Sequence, residues 1–71
     1  MINFYPALGH RVKNERLAKK WTREQLATKA NISDKFLFDI ENGRKGMSAR
    51  TLYNLAKALG VSADWLMGGD D

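Results

Sequence analysis

Thr22-Arg23-Glu24-Gln25-Leu26-Ala27-Thr28-Lys29-Ala30-Asn31-Ile32-Ser33-Asp34-Lys35-Phe36-Leu37-Phe38-Asp39-Ile40-Glu41-Asn42-Gly43 is the stretch whose reading decides the fold. Thr22 and Ser33 each follow an apolar residue and precede another by four positions: Trp21 with Leu26, Ile32 with Leu37. A Ser or Thr hydroxyl there accepts from an orphan N–H of a first helical turn, and the apolar pair staples the chain's entry. Gln25, three residues after Thr22, completes a capping box. Asn31 and Gly43 stand where a helix closes in a left-handed residue. The stretch therefore predicts helices over 23–30 and 34–42, joined by Asn31-Ile32-Ser33. So short a turn forces the two helices to cross steeply. The second helix then has two faces: Leu37 and Ile40 turn inward with Ile32, while Asp34, Lys35, Phe38, Asp39 and Asn42 turn outward.

The same start signal recurs downstream at Met47-Ser48…Leu52 and Val61-Ser62…Leu66. Gly60 and Gly68-Gly69 supply matching stops. Upstream, Leu8, Val12 and Arg16 keep fourfold spacing, and Pro6 is tolerable only in a first turn. The prediction is five short helices, at about 5–20, 23–30, 34–42, 49–59 and 63–67, and no segment alternates as a strand does. The fold class is all-α.

With 71 residues, the chain makes one small domain, read as residues 1–69 with a short acidic tail at 70–71. A domain this size has no room for a deep, water-excluding cleft. It has no cysteine and a single histidine, His10, which excludes thiolate chemistry, disulfides and a histidine metal cluster. No metal or other cofactor is expected, and nothing in the spacing of Ser, His and Asp suggests a catalytic triad. His10 reads as a surface side chain. The apolar runs are too short to span a membrane, and no secretory signal is legible. The expected compartment is the cytoplasm. Asn31-Ile32-Ser33 matches a glycosylation sequon but reads as a turn and a cap.

Twelve basic residues against eight acidic give +4, and they are unevenly placed. Arg11, Lys13, Arg16, Lys19, Lys20 and Arg23 crowd one segment with only Glu15 among them. Arg44, Lys45, Arg50 and Lys57 form a second segment without an acid. Two basic clusters on a small body suit a polyanion partner, or serve as a solubilising surface.

Residues 22–43, followed by Thr51-Leu52…Leu55-Ala56…Ala58-Leu59-Gly60-Val61-Ser62…Trp65-Leu66, resemble the Cro/CI-type (Xre-like) helix-turn-helix family of bacterial and phage repressors. The resemblance covers roughly residues 8 to 68. It implies a compact five-helix, lambda-repressor-like fold with the helix-turn-helix at the second and third helices. It implies a sequence-specific, double-stranded DNA-binding transcriptional regulator, a repressor acting by operator occupancy. An α-helix fits the major groove, so the outward face of the third helix is the expected reader of base edges.

The base-reading candidates are Ser33, Asp34, Lys35, Phe38 and Asp39. Lys35 can donate to guanine, Phe38 can touch a thymine methyl, and the carboxylates can accept from cytosine or adenine amines. By the resemblance, the turn Asn42-Gly43-Arg44-Lys45-Gly46 holds phosphates through backbone N–H groups and cations, with small residues allowing close approach. Arg23 replaces a glutamine usual in the family and is a further phosphate candidate, near a helix N-terminus that already favours an anion. Arg16 and Glu41 occupy the positions of a buried ion pair between the first and third helices. Met47, Trp65, Leu66 and Met67 lie near the end where relatives dimerise. Little surface follows the fifth helix, so the expected assembly is a weak homodimer formed on DNA, with no small-molecule ligand.

The acidic and aromatic character of the third helix departs from the family's amide-rich pattern. It sustains a second reading, a protein-binding helix-turn-helix module such as an antitoxin or a regulator's partner. The GxxG spacing at Gly43 and Gly46 resembles an RNA-binding KH loop, but that fold needs a sheet. A basic first helix lying on a membrane conflicts with the use of its apolar face in the core.

Overall fold

The computed structural model describes residues 4–68. They form five helices and no strand: α1 Phe4–Ala18, α2 Arg23–Ala30, α3 Asp34–Glu41, α4 Ala49–Leu59 and α5 Ala63–Leu66. The acidic tail and Gly69 lie outside the described residues.

Local chemistry accounts for the starts. Thr22, Ser33, Ser48 and Ser62 are N-caps in extended backbone, each side chain accepting an N–H of its first turn. At α2 the capping box is complete: Thr22 Oγ1 accepts from the Gln25 N–H at 3.1 Å, and Gln25 Oε1 accepts from the Thr22 N–H at 2.7 Å. Most stops follow the same logic, with Asn31 and Gly60 as left-handed C-caps of α2 and α4. The end of α1 differs from the sequence expectation by two residues. Lys20 is left-handed, with φ 60°, although a lysine gives no such signal. Its N–H reaches the Leu17 carbonyl and that of Trp21 reaches the Arg16 carbonyl, closing the helix early. The Arg16 guanidinium then holds the Trp21 carbonyl at 2.9 Å, which fixes the chain's exit. The third and fifth helices each end one residue earlier than predicted, at Glu41 and Leu66.

The apolar faces meet in one core. Val12, Leu26, Leu37, Ile40, Leu55, Leu59 and Leu66 are fully buried, and burial of each such side chain contributes about 1.5–3 kcal/mol. α1 lies across α3, and α2 across α4. The α1–α3 crossing is close because of Gly9, to which helical periodicity assigns no role. A Cβ there would land on the Ile40 carbonyl oxygen and crowd Glu41. Beside it, Arg16 and Glu41 form a buried pair, Nε–Oε2 at 2.7 Å and Nη2–Oε1 at 3.1 Å. Together with the Trp21 carbonyl, these bonds occupy all three nitrogens of the guanidinium. The pair joins α1 to the last residue of α3 and sets how α3 is presented.

Candidate nucleic-acid interface

α3 buries Leu37 and Ile40 and turns its other face outward between the N-terminus of α2 and the loop that follows α3. The geometry of that face revises several of the sequence expectations. Arg23, the first residue of α2, grips Asp34, the first residue of α3. Nε meets Oδ1 at 2.7 Å and Nη2 meets Oδ2 at 3.3 Å. That hydrogen bond holds the Asp34 carboxyl below its ordinary value and the guanidinium above its own. Asp34 is thus engaged with Arg23 instead of standing free toward a base.

Phe38 is half-buried and meets two cations. The Arg23 guanidinium carbon lies 5.0 Å from the ring centroid and that of Arg44 lies 5.5 Å from it. The arginine that opens α2 and another after α3 are thereby gathered at one aromatic ring. All three residues were site candidates on sequence alone, but no helical spacing relates them as a group.

Asp39 corrects an expectation. Helical spacing placed it on the outward face, but it is only 3% exposed. Lys35 reaches it from one turn earlier at 3.3 Å, and Lys45 folds back over it from the loop at 3.6 Å. Burial alone would push this carboxyl up. The hydrogen bond from Lys35 and the charges of Lys35 and Lys45 outweigh that and hold it below its ordinary value. Asp39 therefore anchors two exposed lysines and does not itself face solvent. Ser33 is exposed, with its hydroxyl oxygen accepting the Phe36 N–H at 3.0 Å as the cap of α3.

The turn after α3 is also built differently. The N–H groups of Asn42, Gly43 and Arg44 close α3 onto the carbonyls of Phe38, Ile40 and Asp39. This is the Schellman arrangement, with Gly43 left-handed at φ 70°. The Asn42 amide donates back to the Phe38 carbonyl at 2.8 Å. Those three N–H groups, expected as phosphate donors, are already committed to the helix end, while the Arg44 and Lys45 side chains are exposed. The two glycines also serve another purpose than close phosphate approach. A Cβ on Gly43 would strike Pro6, and one on Gly46 would strike the Tyr5 ring. The start of α1 seats this loop, a contact that no signal near residues 43–46 announces.

Of the C-terminal candidates, Leu66 is wholly buried in the core and offers no surface to a second copy. Met47 is half-buried against the core. Trp65 and Met67 are exposed at 36% and 41%. The Trp65 indole N–H donates to Glu15 at 2.9 Å, and Arg11 lies over its ring at 5.6 Å, so Trp65 ties α5 to α1. Among the described residues no cluster of His, Cys, Asp and Glu could hold a metal, and no helix is long and apolar enough to cross a membrane.

Comparison with known proteins agrees with this architecture. The helix-turn-helix family's sequence profile matches residues 12–66. The immunity repressor protein of Bacillus phage phi105 is 43% identical over 61 residues, 86% of this chain and 42% of that relative. The restriction-modification controller protein C.AhdI of Aeromonas hydrophila superposes with a TM-score of 0.84 at 26% identity, covering 87% of this chain and 94% of that one. The P22 c2 repressor, solved in complex with a synthetic operator, superposes with a TM-score of 0.84 at 27% identity, covering 89% and 96%. This chain spans about half the length of the curated relatives it matches, from 42% to 61% of each. With the profile running from the middle of α1 to the last residue of α5, and with α2 and α3 as its two characteristic helices, the chain belongs to the helix-turn-helix family, of Cro/CI type.

Proposed function

We propose that this chain is a sequence-specific, double-stranded DNA-binding transcriptional regulator that represses by occupying an operator. The observation that carries the reading is the ring of cations around an exposed α3. Arg23, Arg44 and Lys45 flank the outward face of α3, on which Lys35 stands, and the carboxylates Asp34 and Asp39 are already engaged by Arg23, Lys35 and Lys45. Such a rim suits phosphates on either side of a groove, with the helix between them. The similarity to repressors and regulators supports the same reading.

The protein-partner alternative rests on the acidic and aromatic face of α3, where Phe38 already lies against two guanidiniums. Asp34 is held by Arg23 and Asp39 is buried, so little free acidic character recommends it. Base reading then falls to Lys35, with the neighbouring exposed positions of α3. A weak homodimer assembled on DNA in the cytoplasm fits an operator whose half-sites lie one turn, about 34 Å, apart. Of the C-terminal candidates, Trp65 and Met67 are the exposed side chains available for it. Selection from random duplex DNA tests the whole reading. The expected outcome is an enriched two-fold sequence, bound with steep salt dependence, and a chain monomeric at micromolar concentration without DNA. Failure to enrich any duplex would overturn it.

A further inference from the structure

Phe38 stood in the sequence as a reader of a thymine methyl group. The geometry points to a different role, and it rests on the DNA-binding reading above. We propose that Phe38 is a positioning residue. It presents the guanidinium groups of Arg23 and Arg44 together, so that they meet the sugar-phosphate backbone of one strand as a preorganised pair.

Three observations carry this. Both guanidinium carbons lie within 5.5 Å of the same ring centroid, although one arginine opens α2 and the other follows α3. Two like charges do not attract each other to one place; the quadrupole of an aromatic ring is what favours their convergence on it. Next, each arginine is restrained by something other than the ring. Asp34 takes Nε and Nη2 of Arg23, leaving Nη1 for a ligand. The Arg44 backbone N–H is fixed to the Asp39 carbonyl at 2.9 Å, one residue from Phe38. Finally, Phe38 is half-buried with a guanidinium from each arginine over its ring, which leaves less of the ring open to a thymine methyl. An arginine otherwise loses much side-chain freedom on docking, and a platform that orders two of them beforehand reduces that cost. Successive phosphates of one strand are about 3.4 Å apart along the axis. Two guanidiniums gathered at one ring suit a row of anions better than a single base edge.

The consequence is that Phe38 governs affinity evenly across sequences and carries no base preference. The test uses the whole chain and a selected duplex. Phe38→Leu, checked for unchanged helicity and a retained cooperative melt, is compared with Phe38→Tyr. Binding is measured on the selected duplex, on an unrelated duplex, and on versions in which each thymine is replaced by uracil, which lacks the methyl group. The expected result is that Phe38→Leu weakens specific and unrelated duplexes alike, by roughly 5- to 20-fold, the ordering cost of two rotamer-rich side chains that the ring no longer holds in place. Phe38→Tyr should restore binding to within about 2-fold. In a background of Arg23→Ala with Arg44→Ala, Phe38→Leu should have no further effect, which a purely structural role would not produce.

A uracil penalty at one position that disappears in Phe38→Leu would overturn the proposal and make Phe38 a base reader. An undiminished effect of Phe38→Leu in the double-arginine background would also overturn it. Absence of binding to any duplex by the unmodified chain would remove the DNA-binding reading itself, a result distinct from both.

Discussion

Arg16 and Glu41 meet across 25 residues of sequence in a buried, two-pronged ion pair, and through it α1 carries the C-terminal end of α3. Removing one partner strands the other charge in the core. Glu41→Ala should therefore cost about 3–5 kcal/mol, against a total of ~5–10 kcal/mol for a domain of this size. The variant should be near unfolding, and its DNA binding should fall with its folded fraction. Arg16→Met combined with Glu41→Leu should recover much of the stability, because an apolar pair of similar volume can replace buried ions. Recovery should be incomplete, since Arg16 also satisfies the Trp21 carbonyl. Thermal melts of the three variants decide it; unchanged melting of Glu41→Ala would contradict burial of the pair.

Gly9 offers a change of opposite sign to the usual helix rule. Replacing an interior helical glycine by alanine ordinarily stabilises by roughly 0.5–1 kcal/mol. Here the added methyl group would meet the Ile40 carbonyl and Glu41, forcing α1 away from α3. Gly9→Ala should destabilise by about 1–3 kcal/mol, as overpacking does. Denaturant titration measures this directly, and an increase in the midpoint would refute the close crossing.

The carboxylates of α3 predict an acid limb. Asp34 and Asp39 both have folded-state pKa values below the ordinary 3.8. A depressed carboxyl adds stability above its unfolded pKa and loses it as pH falls through the folded value. The contribution should be complete from pH 7 down to about 5 and fade below about pH 4. Asp39→Asn should lower stability at pH 7 and flatten the decline below pH 4. Equal pH dependence in both proteins would mean that Lys35 and Lys45 do not hold Asp39 ionised.

Arg44 and Lys45 lie in the loop after α3 with exposed side chains, and on the DNA-binding proposal these side chains meet phosphates. If a bound monomer neutralises about 3–5 phosphates, a dimer on DNA should show a log–log salt slope of roughly −5 to −9. Arg44→Ala with Lys45→Ala should reduce its magnitude by about 2 per monomer while leaving the sequence preference in place. Affinities measured across a salt series test both parts. A preference that shifts in the double variant would place one of these side chains on a base.

Lys35 is tied by only one of its donors to Asp39 and stays exposed, so it is the side chain expected to read a base edge. Lys35→Ala should relax preference at a single base pair by about 1–3 kcal/mol. Repeating the duplex selection with the variant shows this as one degenerate position. A uniform loss across all positions would instead assign Lys35 to the backbone.

What the sequence determined on its own is whatever is written within a turn of helix. The four Ser and Thr caps, the capping box at Thr22 and Gln25, the left-handed ends at Asn31 and Gly60, and the inward Leu37 and Ile40 all follow from neighbours three or four residues apart. Those local signals were enough for the element order and for the short turn between α2 and α3. The Arg16–Glu41 pairing came from resemblance, since nothing local relates residues 25 apart.

Only the tertiary structure decided the interface. Arg23 and Asp34 are 11 residues apart and meet because the α2–α3 crossing brings two helix starts side by side. Asp39 is buried because the loop returns Lys45 over it, although its helical phase points outward. Lys20 turns left-handed because Arg16 fixes the exit of α1 at Trp21. Gly9, Gly43 and Gly46 are small because of Ile40, Pro6 and Tyr5, each distant in sequence. Caps and turns are encoded by covalent proximity, whereas the pairing of charges and the approach of backbones depend on where packing of the core brings distant residues together.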